Sequence, residues 1–367
     1  MKKIALLFLM CIGATYVYAQ QYTINANITG FKDGTKFFLH DLESQTDIDS
    51  AVIANNKLTF TGKLPYNPES VWFCAFSNNQ FYYTNLFIGK GKLTVTGDIA
   101  DFPFYLKITG SADQDIYTIL NNKTKAYYKQ RNVLVNEVMA LKGDSVEKSE
   151  KIWRTISGLD SACDAIRKQF IKENLNSYAA LNELNYLRSK YSRDTLQQMY
   201  NLLKPLYKQS KYGQRIATYL KIGDILKKGD TYADFEALDK DGKSHKISDI
   251  KGKYILLDFS ETGCGPCILS LKDLRDIKQQ YADKITIITF SGDAGKDTWL
   301  YGLNRDKPDW LSLWDGKGRY GKTILKYGIT GYPTFCIINP DGKIVSLSTG
   351  FGDQGSLENS VKQILNK

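Results

Sequence analysis

The stretch that most constrains this 367-residue chain runs Tyr254-Ile255-Leu256-Leu257-Asp258-Phe259-Ser260-Glu261-Thr262-Gly263-Cys264-Gly265-Pro266-Cys267. Tyr254 to Phe259 is a short apolar run, the pattern of a strand buried on both faces. Beyond it, Ile268, Leu271, Leu274, Ile277 and Tyr281 recur at helical spacing. The sequence therefore predicts a buried strand that turns into a helix, with two cysteines at the helix N-terminus.

That position has chemical consequences. A helix N-terminus presents unpaired N–H groups and the positive end of the dipole. Both favour a thiolate, so Cys264 is expected to be the acidic, exposed nucleophile and Cys267, one turn further in, the buried resolving thiol. Pro266 lacks an N–H and is well tolerated in a first helical turn. Asp258 lies six residues before Cys264 on the predicted strand, where a buried carboxylate can exchange a proton with Cys267.

Other uses of a C-x-x-C pair fit less well. A zinc site needs further ligands, but there is no second C-x-x-C and the only histidines are His40 and His245. Haem attachment needs a His where Ile268 stands. A purely structural disulfide is disfavoured by the strand–turn–helix context. A peroxidatic cysteine is disfavoured because neither Cys264 nor Cys267 has Thr three residues before it. The expected redox group is the Cys264–Cys267 couple, with no metal and no other cofactor.

Residues 1–19 read as a secretory signal, with Lys2 and Lys3 before the apolar run Ile4–Gly13 and small residues around Ala19. A mature start at Gln20 and a periplasmic location are expected. Lipid anchoring at Cys11 is not, because Met10 stands where a small residue is usual. The five cysteines left after such cleavage are an odd number, and Cys74 and Cys336 lie in apolar runs, so no disulfide framework is expected.

Residues 20–112 read as all-β, with seven short strands separated by Asp33-Gly34, Asn55-Asn56, Gly62, Asn78-Asn79 and Gly89-Lys90-Gly91. A small sandwich is expected, with the Asn-Asn pairs at hairpin tips. Phe81, Tyr82, Tyr83 and Phe87 are read as core and ordinary strand-surface aromatics ahead of a binding face. Residues 113–222 turn helical. Ser111 with Gln114 makes a capping-box pattern, as does Asp144 with Glu147 beyond a break at Gly143. Ile152, Ile156, Leu159, Cys163, Ile166 and Phe170 form a heptad seam, expected to pack on the preceding helix, which slightly favours a monomer. Further helices are expected over 177–188, 194–209 and 212–222.

The net charge is +10, and residues 113–222 hold 19 basic and 11 acidic residues against 7 and 8 in 20–112. The excess is scattered along helices, as on a solvated face, and no nucleic-acid motif accompanies it.

From residue 223 the pattern is α/β. A hairpin turns at Asp239–Lys243, the cysteine strand and helix follow, and Gly328-Ile329-Thr330-Gly331-Tyr332-Pro333-Thr334 leads into an apolar strand. Across residues 224–367 the chain resembles the TlpA/ResA-like branch of thioredoxin-fold proteins. The resemblance rests on the Cys264–Cys267 motif with Gly265 and Pro266, on Asp258 at its offset, and on Pro333. It implies a cis Pro333 packed beside the cysteines, with the Tyr332 backbone and Gly263 in contact with substrate. Residues 20–112 resemble the β-rich domain of unknown function that precedes thioredoxin-like domains in some secreted bacterial proteins. The chain departs from the family at three positions. Gly263 replaces an aromatic residue, Ser260 replaces a Trp, and Glu261 replaces a small residue.

The fold expected is multidomain: a signal over 1–19, an N-terminal β-sandwich over 20–112, a helical segment over 113–222 and a C-terminal α/β thioredoxin fold over 223–367. The activity expected is thiol–disulfide exchange that reduces protein disulfides, recharged by a membrane-linked thiol donor. An oxidase or isomerase, or a non-catalytic envelope binding protein with a vestigial dithiol, are the alternatives.

Overall fold

Alternating burial organises the N-terminal strands. The computed structural model describes residues 20–64, 68–140, 146–352 and 355–366. The expected signal and the Gly143–Asp144 break lie outside the described residues. The chain opens with β1 (Gln20–Thr29), β2 (Lys36–Asp41), β3 (Thr46–Val52), β4 (Lys57–Leu64), β5 (Glu69–Ser77), β6 (Gln80–Ile88), β7 (Gly91–Asp98) and β8 (Lys107–Thr109). They form two four-stranded sheets, ordered β4-β1-β7-β8 and β3-β2-β5-β6. Inward residues at period two, such as Ile24, Phe60 and Val95 from one sheet and Phe37, Phe73 and Leu86 from the other, make one shared core. The seven expected strands are present, and the three-residue β8 is too short to leave an alternating signal. Asn55, Asn56, Asn78 and Asn79 all have positive φ, as a two-residue hairpin turn demands. The four aromatics separate. Phe87 is buried against the helices, Tyr82 packs on Phe31 and Phe102, and Phe81 and Tyr83 stack with Trp72 on the outer face.

The helices are α1 (Ala112–Met139), α2 (Val146–Glu173), α3 (Tyr178–Leu187), α4 (Arg193–Leu202), α5 (Pro205–Gln209) and α6 (Lys211–Lys221). Ser111 caps α1 by accepting from the Gln114 amide, but Gln114 does not close the box. Its Oε1 accepts from the Phe87 amide at 2.7 Å and so ties α1 to β6. In the α2 seam, Ile152, Ile156, Cys163 and Phe170 are buried and α1 is the helix packed beside it. The helix expected over 194–209 is broken in two. Lys204 is extended because it precedes Pro205, and Pro205 then starts α5. The helical core also takes Phe87 from β6 and Leu325 from beyond the helices, so it touches both flanking units.

The remainder is β9 (Glu236–Leu238), β10 (Ser244–Lys246), β11 (Tyr254–Ser260), α7 (Gly265–Tyr281), β12 (Ile285–Ser291), α8 (Lys296–Asp306), β13 (Leu311–Trp314), α9 (Lys322–Lys326), β14 (Thr334–Ile338), β15 (Ile344–Thr349) and α10 (Ser356–Leu365). Seven strands make one sheet, ordered β10-β9-β13-β12-β11-β14-β15. β11 sits centrally, parallel to β12 and antiparallel to β14. Its side chains alternate between two cores, so Leu257 and Phe259 face one and Leu256 faces the other, where α7 lies. The four-residue β13 escaped the sequence reading for the same reason as β8. Ile268, expected on the buried face of α7, is 41% exposed. Asp273 is buried instead, and its carboxylate accepts from the amides of Gly355 and Leu357 to cap α10.

Candidate active site

The sheet delivers its central strand to a short loop, and the loop delivers Cys264 to the N-cap of α7. Its sulfur accepts from the Cys267 amide at 3.1 Å, the bond a thiolate in this place would strengthen. The two sulfurs are joined as a disulfide, with Cα atoms 5.2 Å apart. Cys264 is half-buried, whereas Cys267 is 5% exposed. Gly265 and Pro266, the first two helical residues, are exposed, as is Gly263. Beyond them Leu269 is 67% exposed, so with Ile268 it offers apolar surface on the first turns of α7.

Asp258 lies in mid-β11, 3% exposed, on the face covered by α7. Its Oδ2 accepts from the Thr289 hydroxyl at 2.9 Å, and Thr289 Oγ1 accepts in turn from Trp310 Nε1 at 2.9 Å. Its Oδ1 has no partner among the described residues. Burial pushes its pKa up to about 7, with the Thr289 hydrogen bond pulling the other way. A cavity of about 40 Å³ borders this carboxyl, lined in part by Ser260, Thr289, Trp299 and Trp310. Ser260, one of the three positions where the chain departs from the family it resembles, borders this space.

The Tyr332–Pro333 bond is cis. Because Phe259 pairs with Thr334, Tyr332 and Pro333 lie alongside the loop that follows β11. The Tyr332 ring reaches back over Gly292, where a Cβ would stand 2.1 Å from its hydroxyl, so only glycine allows this packing.

The loop from 261 to 264 is held through Glu261, Thr262 and Cys264. The Cys264 amide donates to the Glu261 carbonyl at 3.1 Å. The Thr262 hydroxyl donates to buried Asp293 at 2.8 Å, and the Thr262 carbonyl accepts from Arg305 at 2.8 Å. Glu261 is buried and gripped by Arg319 through two bonds, one of them Nε to Oε1 at 2.6 Å. Burial pushes the Glu261 carboxyl up, and Arg319 pulls it back down. Sequence reasoning singled out Glu261 only as a replacement for a small residue and missed Arg319, Asp293 and Thr289. The only sequence signal for Arg319 was an acidic residue placed where a small one is usual, which calls for a cation nearby.

A thioredoxin-like family model matches residues 252–344, and the model of a domain of unknown function, DUF4369, matches residues 22–117. The thiol-disulfide oxidoreductase ResA of Bacillus thuringiensis (strain Al Hakam) is 30% identical over 131 residues, which cover 35% of this chain and 74% of that protein. This chain belongs to the thioredoxin-like thiol-disulfide oxidoreductases. A ResA from Bacillus cereus is 27% identical to this oxidoreductase over 147 residues, 40% of this chain and 83% of that protein. Among solved structures, the thioredoxin domain of a thiol-disulfide oxidoreductase from Bacteroides vulgatus is 28% identical. It covers 38% of this chain and 99% of that one, with a TM-score of 0.35. No helix among the described residues is long and apolar enough to cross a membrane.

Proposed function

We propose that this oxidoreductase reduces protein disulfides outside the cytoplasm, with Cys264 as nucleophile, Cys267 as resolving thiol and Asp258 as proton acceptor. The observation that carries the reading is the pairing of a half-exposed Cys264 at a helix N-cap with a buried Cys267, on the α7 face where Asp258 is buried. In the reduced enzyme the Cys264 thiolate attacks a substrate disulfide. Its S–S bond breaks, one substrate thiolate leaves, and a mixed disulfide forms. Cys267 then gives its proton to Asp258, attacks the Cys264 sulfur and releases the second substrate thiolate. Two electrons pass to the substrate, and the enzyme is left as the Cys264–Cys267 disulfide. A thiol donor linked to the membrane restores the dithiol. Tyr332, Pro333 and Gly263 border the place where the substrate chain lies, with Gly265 and Pro266 shaping the turn.

The direction is tested by equilibration with glutathione. A reductant should show a potential near or below about −220 mV, whereas a value near about −120 mV would make the protein an oxidase. The nucleophile is tested by alkylation of the reduced protein. Cys264 should be labelled first, with an apparent pKa below the free-thiol value of about 8.5. Preferential labelling of Cys267 would reverse the roles.

Substrate preference follows from Gly263. It has no positive φ, and a Cβ there would meet nothing within 4 Å, so a large side chain can be carried. Trp at this position would add apolar surface beside Ile268 and Leu269. Covering about 50 Å² of it with a docking peptide corresponds to ~1 kcal/mol, or roughly fivefold in kcat/KM. Gly263→Trp is therefore expected to raise insulin reduction by about that factor. A folded variant with an unchanged rate would remove Gly263 from the substrate surface.

A further inference from the structure

The helical segment and the β2–β3 turn make a specific contact with the dithiol unit. Between β13 and α9, Tyr320 is clasped by two guanidinium groups from outside that unit. Arg215 of α6 lies 4.0 Å from the ring centroid, and Arg188 at the end of α3 lies 5.2 Å from it. Asn185 of α3 donates to the Tyr320 hydroxyl at 3.2 Å. Arg215 is itself fixed by a two-pronged ion pair with Glu43, in the turn between β2 and β3. The residue before Tyr320 is Arg319, whose guanidinium grips buried Glu261 and lies 5.7 Å from the Tyr332 ring. A row of contacts thus leads from the β unit through the helices to the loop carrying Cys264.

We infer that Tyr320 is a positioning residue through which the N-terminal units hold Arg319 on Glu261 and so keep the charge on the Cys264 loop neutralised. Glu261 is three residues from Cys264, a separation of at most about 11 Å along the chain. Its side chain is 4% exposed, so water does little to screen it. The other charged or titratable groups around the loop are Asp258 on β11, Asp293 after β12, Arg305 on α8 and Tyr332 before β14. Two of these are further carboxyls, and Arg305 is engaged with Asp306. Arg319 is therefore the cation that balances Glu261. An isolated loop Arg would spend much of its time in solvent. Clamping the adjacent aromatic ring between Arg188 and Arg215 restricts that freedom. Cation–π contact is a suitable clamp because Tyr320 offers its ring and the helices supply the cations.

The inference rests on Cys264 being the reactive thiol, and its test reads that thiol directly without turnover. In full-length reduced protein, Tyr320→Ala should slow alkylation of Cys264 at pH 7 by roughly three- to tenfold, because an unbalanced Glu261 disfavours the thiolate. Adding Glu261→Gln to Tyr320→Ala should restore at least the wild-type rate. Tyr320→Phe keeps the ring between the arginines and should keep the wild-type pH profile. Arg215→Gln, whose site lies on a different unit, should reproduce the direction of the effect and serves as the readout should Tyr320→Ala fail to fold. An unchanged Cys264 profile in Tyr320→Ala or in Arg215→Gln overturns the inference. So does a slowing that Glu261→Gln fails to repair, since that would mark simple loosening of the fold. A wild-type Cys264 with the ordinary thiol pKa of about 8.5 would instead count against the proposed nucleophile.

Discussion

Asp258→Asn is expected to stabilise the oxidised protein above pH 7 while slowing its catalysis. The carboxyl is raised from 3.8 to about 7 by burial. The unfolded chain holds the same group near 3.9. A raised carboxylate pKa means that the native state binds the proton more tightly than the unfolded state. Its contribution is fully present below about pH 4 and is lost as pH rises through about 7. About three units at 1.36 kcal/mol each give a penalty of ~4 kcal/mol at pH 8.5. Asn cannot ionise and escapes that penalty. Its amide places an N–H where one carboxylate oxygen has no partner, a fixed cost of about 1–3 kcal/mol. The fixed cost is the same at every pH, so the comparison of two pH values isolates the titration. Urea denaturation at pH 4 and pH 8.5 should show the variant gaining roughly 3–4 kcal/mol relative to wild type between them. A difference that does not change with pH would mean that Asp258 titrates as an ordinary carboxyl. The kinetic counterpart is loss of the group that accepts the Cys267 proton, a general-base contribution of about a hundredfold or more. In the wild type the same step should slow about tenfold per pH unit below about 7, as Asp258 becomes protonated.

The parts of this molecule that local chemistry decides were legible in the sequence. β11 and α7 announced themselves because a buried strand and an amphipathic helix have different periods, and the cysteines mark the junction. Asn55-Asn56 and Asn78-Asn79 were legible because two successive positive φ angles exclude most residues. Short elements were not. β8 and β13 hold three and four residues, at most two full alternations. The break at Pro205 was in principle readable, since the residue before a Pro disfavours helix, but the apolar spacing continued across it. Long-range partners were the least legible. Gln114 satisfies the local capping pattern, yet its side chain serves Phe87. Arg319 stands 58 residues from Glu261, and nothing in its neighbourhood distinguishes it from a solvated arginine. Pairing of this kind is decided by which loops the sheet order brings together at the ends of β11, β13 and β14. For the same reason the cation that compensates Glu261 could not be read from its own stretch of sequence.

Cys267→Ser should convert the enzyme into a trap, with a loss of turnover of about a thousandfold. Few sulfurs can serve as the resolving thiol. Cys74, Cys163 and Cys336 are buried, free and part of the cores. Burial pushes the Cys74 thiol up to about 11 and the Cys336 thiol up to about 12, so neither supplies thiolate at neutral pH. Among the cysteines of the described residues, Cys267 is the one bonded to Cys264 in the oxidised state and able to resolve a mixed disulfide. A serine hydroxyl in its place is far too weak a nucleophile toward sulfur. An aromatic disulfide such as Ellman's reagent separates the steps. Reduced wild type should release two equivalents of coloured thiol per dithiol, the first when Cys264 forms the mixed disulfide and the second when Cys267 displaces it. Cys267→Ser should release a single equivalent and retain the other half of the reagent on Cys264, readable by mass. Cys264→Ser should release little, because the remaining thiol of the pair is 5% exposed. A Cys267→Ser protein that still releases two equivalents would place the resolving thiol elsewhere. A Cys264→Ser protein that reacts as fast as wild type would take the nucleophile away from the helix N-terminus.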